Sequence, residues 1–426
     1  MKIARLMPAA ALLVLLSISA FAAVTADELA AMAVDGDAAA STAAMRKLRH
    51  MGPAGLEALL RVHAREIERF SASGESTDEW LRIRAAIDTV AMQRDAFASG
   101  LYWYTDLEAA KRAADSSNRP VLSLRLLGNL NEEFSCANSR LFRSILYANK
   151  DVARYLSENY ILHWRSVRPA PRITIDFGDG RRIERTVTGN SIHYILDENG
   201  VIIDALPGLY SPRAFKLYLE QARKVQKTVD GLSEERLRLA LMRYRKTSAD
   251  RIIERRGNVL KAAGVELSQT GPEITAIDIS PLAMTKTVVT DEISLLRVYD
   301  NFARFVPQID LSEWQKMSAV YAGENGIDAS SVAFIHRQNR DTGRTEQEFE
   351  SLFKKLDTFV SLDTTRNDFL FRTQIFDWLN RANNIEIEAF NDRVYSEIFK
   401  TPASDAWLGL YSADVYAALD GNGIVR

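Results

Sequence analysis

The spacing of apolar and polar positions divides the chain into three regions with different predicted structures. Residues 27–98 are rich in Ala and Leu, and their apolar positions recur three and four residues apart, which predicts helices. Two of these helices are predicted over 44–60, separated at Gly52-Pro53, because glycine favours a helix end and proline a helix start. One such pair is too small to form a repeat array, so the region is predicted to be a helical cap.

Residues 101–226 alternate between helix and strand patterns. Apolar runs over 120–127 and 160–167 predict buried strands, and segments with helical spacing lie between them. Two hairpins are predicted, one around Gly178-Asp179-Gly180 and one around 197–200, since glycine and aspartate favour tight turns. Strands joined by helices, followed by an antiparallel hairpin and a closing helix, indicate an α/β sandwich.

Residues 230–426 carry long amphipathic patterns and no convincing pair of strands, which predicts an all-α C-terminal domain. The stretch 267–289 contains Gly271-Pro272 and Ser280-Pro281, two dipeptides that interrupt regular secondary structure. It is therefore predicted to be a mobile linker. Near the C-terminus, Tyr395 and Trp407 are predicted to dock the last segment through their aromatic rings.

The first 26 residues are typical of a cleavable export signal. Lys2 and Arg5 precede an apolar run over 9–23, and Val24 and Ala26 supply the small residues of a cleavage site. Because this run is shorter than the ~20 residues that span a bilayer, and no other segment is as long, no stable membrane span is expected after cleavage. The mature protein is therefore predicted to be periplasmic or secreted, with an uncleaved anchor as the alternative.

The composition of the chain argues against nucleic-acid partners, intramolecular disulfides and metal sites. The chain has 54 basic and 56 acidic residues, a balance that gives no reason to expect nucleic-acid binding. It has one cysteine, Cys136, so no disulfide can form within the chain. One cysteine and scattered histidines lack the spacing of a metal site, so the sequence predicts no metal and no cofactor.

Several motifs of the middle region, taken in order, resemble the thioredoxin superfamily. They are residues 103–110 (WYTDLEAA), 118–122 (NRPVL), a cysteine at a helix start, 189–200 (GNSIHYILDENG) and 206–208 (LPG). The resemblance is to the exported bacterial branch, in which a helix precedes the first strand. It implies a thioredoxin-like sandwich over 101–226, between a cap over 27–98, whose helix pair is HEAT-like, and the all-α region 230–426.

The resemblance implies that Cys136 is the motif thiol and that two family positions are altered. Ser139 stands where the second cysteine of a C-x-x-C pair would be, and Ser191 stands where the family places a cis-proline. A cis peptide before a residue other than proline costs about 3–4 kcal/mol, so the Asn190–Ser191 bond is predicted to be trans. Ordinary dithiol exchange is excluded, because one thiol cannot close an intramolecular disulfide.

Cys136 and Ser139 are the candidate catalytic residues. A thiol at a helix N-terminus faces unpaired N–H groups that favour the thiolate, and the Ser139 hydroxyl three residues on is placed to hydrogen-bond it. Other polar residues near the helix start and the strand ends are candidates for binding: Asn138, Arg140, His163, Arg168, Asn190, Ser191 and His193.

Two functions from different classes follow from these residues. In the first, Cys136 exchanges with an exported protein partner through a mixed disulfide, which makes the chain, if an enzyme, a monothiol oxidoreductase. In the second, the thioredoxin-like region is a redox-inactive scaffold that binds a protein or an envelope component, and Cys136 is buried as a small apolar residue. A third interpretation is a polar pocket of Asn138, Arg168, Asn190, Ser191 and His193 that binds a peptide or a small ligand. The sequence leaves the choice among these interpretations open, together with the identity of the partner.

Overall fold

The structure is a computed structural model that describes residues 24–186, 189–264, 311–320, 327–382, 385–399, 401–408, 418–419 and 424. Most of the predicted export signal (1–23) and the predicted linker over 267–289 lie outside these residues.

The N-terminal region is helical, as its sequence pattern predicts. Its helices are α1 (Ala26–Met32), α2 (Ala38–His50), α3 (Pro53–Val62), α4 (Ala64–Ser73) and α5 (Asp78–Ala91). The predicted pair consists of α2 and α3. Gly55 lets these two helices approach, because a Cβ at this position would lie 2.0 Å from the Leu48 carbonyl oxygen. The five helices enclose a core of their own that includes Leu48, Leu59 and Trp80.

A five-stranded mixed sheet forms the centre of the middle region. The strands in chain order are β1 (Trp103–Tyr104), β2 (Val121–Leu127), β3 (Ile161–Arg168), β4 (Arg172–Asp176), β5 (Arg182–Thr186), β6 (Ser191–Leu196) and β7 (Ile202–Pro207). The sheet has the order β1-β3-β2-β6-β7, in which β1, β3 and β2 are parallel and β6 and β7 are antiparallel to their neighbours. β4 and β5 form a separate antiparallel ribbon. The predicted strands and both predicted hairpins are confirmed.

Helices connect and flank these strands. They are α6 (Leu107–Ser117), α7 (Ala137–Leu141), α8 (Lys150–Asn159) and α9 (Pro212–Val229), and Phe142–Leu146 continues α7 as a π-helix. β2 is buried along its whole length, as its continuous apolar run predicts. The chain is therefore a mixed α/β protein with helical regions on both sides of its sheet.

The described part of the C-terminal region is helical and contains no strand. Its helices are α10 (Glu234–Ala263), α11 (Leu311–Ala319), α12 (Ala329–Gln338), α13 (Glu346–Arg366), α14 (Thr373–Arg381) and α15 (Ile387–Arg393). Asn367–Arg372 joins α13 to α14 as a π-helix, and a second π-helix, Val394–Ile398, follows α15. None of the helices within the described ranges combines the length and apolarity needed to cross a bilayer.

The sheet and the C-terminal helices share one hydrophobic core. The buried apolar cluster extends from Leu124 in β2 to Phe376 in α14 and Tyr395. Tyr194 of β6 packs edge-to-face against Phe390 of α15, with ring centroids 6.2 Å apart. The predicted domain boundary near residue 230 lies in the turn between α9 and α10, and the core continues across it.

Buried ion pairs also join the sheet to these helices. Asp204 in β7 accepts hydrogen bonds from Arg372 Nη2 at 2.7 Å and from the Tyr244 hydroxyl at 2.5 Å. Arg125, the charged residue of β2, lies 2.8 Å from Glu388 of α15. Removing one member of the fully buried Asp204–Arg372 pair would leave the other charge buried without its partner, which is costly.

Candidate functional site

Cys136 lies directly before α7, after the loop that leaves β2. Its backbone N–H donates to the Leu127 carbonyl oxygen at 3.1 Å, which ties the end of the strand to the start of the helix. Gly128 makes this turn with φ +73°, and a Cβ there would lie 3.1 Å from the Ser135 Cα. The Cys136 side chain is fully buried.

The thiol has two oxygen atoms within reach as acceptors for its single S–H proton. Sγ lies 3.6 Å from the Ser139 hydroxyl oxygen and 3.7 Å from the Asn190 carbonyl oxygen. The Ser139 hydroxyl, which was predicted to stabilise a thiolate, instead donates to the Cys136 carbonyl oxygen at 2.9 Å. A carbonyl oxygen attracts a thiol proton and repels a negative sulfur, so this geometry does not assist nucleophilic attack.

Asn138 and Asn190 bring two carboxamides to the same site. Asn138 Nδ2 donates to Ser191 Oγ at 2.9 Å, and Asn190 Nδ2 donates to Thr401 Oγ1 at 3.0 Å. The Oδ1 atoms of both asparagines are buried and have no hydrogen-bond partner among the described residues. The Asn190–Ser191 peptide is trans, as the sequence predicts. The site therefore holds two acceptors that the described protein does not use.

The C-terminal region covers this cluster, which was not predicted. The Tyr395 hydroxyl donates to the Asn190 carbonyl oxygen at 3.3 Å. Beyond it, Arg168 Nη1 donates to the carbonyl oxygens of Pro402 and Asp405 at 3.3 and 2.7 Å. Asn190 and Arg168 thus hold residues 401–405 over the site. We call these residues the C-terminal strap. Tyr395 was predicted to dock the last segment, but its partner was not visible in the sequence.

His193 lies inside the core rather than at the rim of a site. Its Nε2 is 2.8 Å from the Tyr147 hydroxyl, and its ring packs against Phe142 and Phe215 with centroids 4.7 and 5.0 Å away. Burial lowers the pKa of His193 to about 3, so the imidazole is neutral at physiological pH. Its place in the structure is that of a packed, hydrogen-bonded core residue.

His163 lies away from the thiol. It pairs in register with Ser123, whose hydroxyl is 2.7 Å from His163 Nδ1. Ser123 is four residues before Leu127 in β2, roughly 13 Å at about 3.3 Å per residue. Burial, followed by the charges of Arg125 and Arg165, lowers the pKa of His163 to about 3. His163 therefore belongs to the buried polar network around Arg125.

Arg140 connects α7 to the β4–β5 ribbon. Its Nη2 donates to Thr186 Oγ1 at 2.9 Å, and that hydroxyl donates to the Ser135 carbonyl oxygen at 3.1 Å. Beside the ribbon is a cavity of about 570 Å³. Its lining is mostly charged and consists of Glu133, Phe134, Arg140, Thr174, Arg182, Glu184 and Arg185.

The structure thus brings together five of the nine predicted site residues: Cys136, Asn138, Ser139, Asn190 and Ser191. Arg168 joins them through the C-terminal strap, whereas His163, His193 and Arg140 belong to neighbouring contacts. Within the described ranges, no three His, Cys, Asp or Glu side chains are grouped to hold a metal ion.

No protein-family model, no characterised protein and no solved structure matches this sequence or this structure.

Proposed function

We propose that this chain is an exported, redox-inactive protein built on a thioredoxin-like sandwich, and that it acts as an interaction module for a protein or another envelope component. The observation that carries the proposal is the burial of Cys136, whose side chain is 0% exposed beneath the C-terminal region. Disulfide exchange needs a thiolate that can reach the sulfur of a partner, and a sealed thiol donating to a carbonyl oxygen does not meet that need.

The path of the chain supports the thioredoxin-like part of the proposal. β2 leads through a loop into a helix that starts at Cys136, and the antiparallel pair β6–β7 is followed by α9. Ser191, at the position where the family carries its cis-proline, begins β6 beside the thiol's partner Asn190. The basic, apolar and small residues of 1–26 motivate export.

A cavity and two unpaired buried oxygen atoms support the interaction role. The cavity beside the β4–β5 ribbon has a volume of about 570 Å³, within the roughly 300–1,000 Å³ of ordinary ligand sites. The Asn138 and Asn190 oxygens are buried acceptors without a donor among the described residues. Buried polar atoms need a partner from the protein, from ordered water or from a bound group, so these two oxygens are available to a ligand.

The reactivity of Cys136 tests this proposal. Native mature protein and protein unfolded in urea are mixed with an aromatic disulfide that releases a coloured thiolate, and the reaction is followed with time. The native thiol should react at least about 100-fold more slowly than the unfolded thiol, because it must wait for a local opening. Cys136→Ser protein supplies the baseline. Stoichiometric reaction of native protein within seconds would contradict a redox-inactive role.

Monothiol exchange is the second candidate, and one observation favours it. Cys136 directly precedes α7, with Ser139 Oγ 3.6 Å from its sulfur, the arrangement expected of a motif thiol. This activity requires the C-terminal region to move away from Asn190 first. In the same experiment, fast native reaction and a mixed disulfide isolated with an exported protein would favour this candidate.

A further inference from the structure

We propose that the C-terminal strap is an autoinhibitory segment that occupies, within its own chain, a binding site for an extended polypeptide. The site consists of Asn138, Asn190 and Arg168. The proposal rests on the interaction role proposed above and specifies its ligand, a peptide segment of a partner protein that takes the place of residues 401–405.

Arg168 contacts the backbone of the strap, and the charge of the Asp405 side chain also acts on its guanidinium. One guanidinium nitrogen, Nη1, donates to the carbonyl oxygens of both Pro402 and Asp405. Nε and Nη2 of the same guanidinium are buried and have no hydrogen-bond partner among the described residues. Since guanidinium N–H groups donate to any carbonyl oxygen, the backbone of a different peptide can satisfy these donors as well as the backbone of the strap does.

Asn138 and Asn190 supply the complementary acceptors. Each carboxamide uses one polar atom, on Ser191 and on Thr401, and leaves the other without a partner among the described residues. Unused donors on Arg168 and unused acceptors on the asparagines match a polypeptide backbone, which presents N–H and C=O groups alternately.

The strap is held mainly by hydrogen bonds. Thr401 is buried, but Pro402 and Asp405 are half-buried and Ala403 and Ser404 are exposed. Hydrogen bonds contribute only about 0.5–1.5 kcal/mol each when water can replace the partner, so a segment with little apolar burial is released easily. A partner peptide that also satisfies the unused groups would bind more strongly than the strap.

A peptide added in trans tests the proposal. The probe is a synthetic peptide of residues 399–408 with a fluorescent label, and its binding to full-length mature protein is followed by fluorescence anisotropy under reducing conditions. The strap is weakened by the double substitution Thr401→Ala and Asp405→Ala, which removes the hydroxyl on Asn190 and the side chain that accepts from the Trp407 N–H. Ser404→Ala, at an exposed strap position, is the matched control.

The weakened protein should bind the peptide at least about 10-fold more tightly than wild type or the Ser404→Ala control, because its site is no longer occupied. Adding Arg168→Met to the weakened protein should reduce that affinity at least about 10-fold, through loss of the two carbonyl contacts. A peptide of the same composition in scrambled order should bind weakly.

Several results would overturn the proposal. Equal affinity of wild type and weakened protein would show that the strap inhibits nothing, and an unchanged affinity with Arg168→Met would show that the peptide binds elsewhere. If circular dichroism shows that the double variant is unfolded, protein truncated after residue 399 is the second test. The peptide lacks cysteine, so this assay is independent of the thiol titration, and either proposal can fail without the other.

Discussion

Arg372 and Asp204 form an ion pair in which both side chains are buried, with Nη2 2.7 Å from Oδ2. The pair spans 168 residues of sequence and joins the last strand of the sheet to the helical C-terminal region. Burial alone lowers the pKa of Arg372, but the charges of Asp204 and its neighbours raise it well above the usual range. We therefore expect the sheet and the C-terminal helices to unfold together.

Removal of this arginine should destabilise the whole protein. Arg372→Met leaves Asp204 charged and without its cation in the core, which costs about 3–5 kcal/mol of unfolding free energy. Urea denaturation followed by circular dichroism measures the change. Arg381→Met is the control, because the Arg381–Asp377 pair lies at the surface and is worth at most about 1 kcal/mol. Equal effects of the two substitutions would argue against a shared folding unit.

Glycine substitutions should distinguish a close contact from open space. Gly55→Ala places a methyl group 2.0 Å from the Leu48 carbonyl oxygen, so α2 and α3 must separate at a cost of about 1–3 kcal/mol. Gly257→Ala, inside α10 with nothing within 4 Å, should stabilise the protein by about 0.5–1 kcal/mol. The melting temperatures of the two variants, measured by thermal unfolding, should shift in opposite directions from that of wild type. A gain in stability with Gly55→Ala would refute the close approach of α2 and α3.

Asp88 should make the protein less stable as pH rises. Burial, followed by the nearby Asp95, raises the pKa of Asp88 to about 7 from an ordinary value of 3.8. Between about pH 4 and 7 the folded state holds a proton that the unfolded state releases, so stability falls with increasing pH, by up to about 1.4 kcal/mol per pH unit. Asp88→Asn should remove this dependence in urea unfolding at pH 5 and 7. An unchanged slope would show that the carboxyl is already ionised.

His193 should make the protein less stable as pH falls. Burial lowers its pKa to about 3, so below about pH 6.5 the unfolded state binds a proton that the folded state does not. Stability contributed by the neutral imidazole is lost as pH falls from about 6.5 towards 3, amounting to about 2 kcal/mol at pH 5. His193→Gln, which can still pair with Tyr147, should reduce that acid-side loss. An acid-side loss as large as that of wild type would mean that His193 is accessible to protons when folded.

The strands and hairpins could be predicted because their signals are local. The apolar run of β2 and the Gly178-Asp179-Gly180 turn each lie within ten residues, and the structure places a strand and a hairpin there. The partner of Arg125 could not be predicted in the same way. A lone arginine in a buried strand indicates that a carboxylate is needed, but Glu388 lies 263 residues away, and local patterns do not single it out.

The site was predictable only in part for a similar reason. The position of Cys136 before a helix follows from the strand–helix transition, and Asn190 and Ser191 follow from the family resemblance. Tyr395 and the strap cover the site because of the face of the sheet against which the C-terminal helices pack, and local sequence patterns do not indicate that face. Because both faces of β6 are buried, its alternation of side chains does not indicate whether His193 points to a rim or into a core.

The long separation in sequence between Arg125 and Glu388 also affects the order in which parts of the core can form during synthesis. A chain that emerges from its N-terminus makes the seven strands described above before Arg372 and Glu388 exist, so Asp204 in β7 and Arg125 in β2 lack these ion-pair partners in the meantime. We therefore expect the core that the sheet shares with the C-terminal helices to close only after these helices have been synthesised.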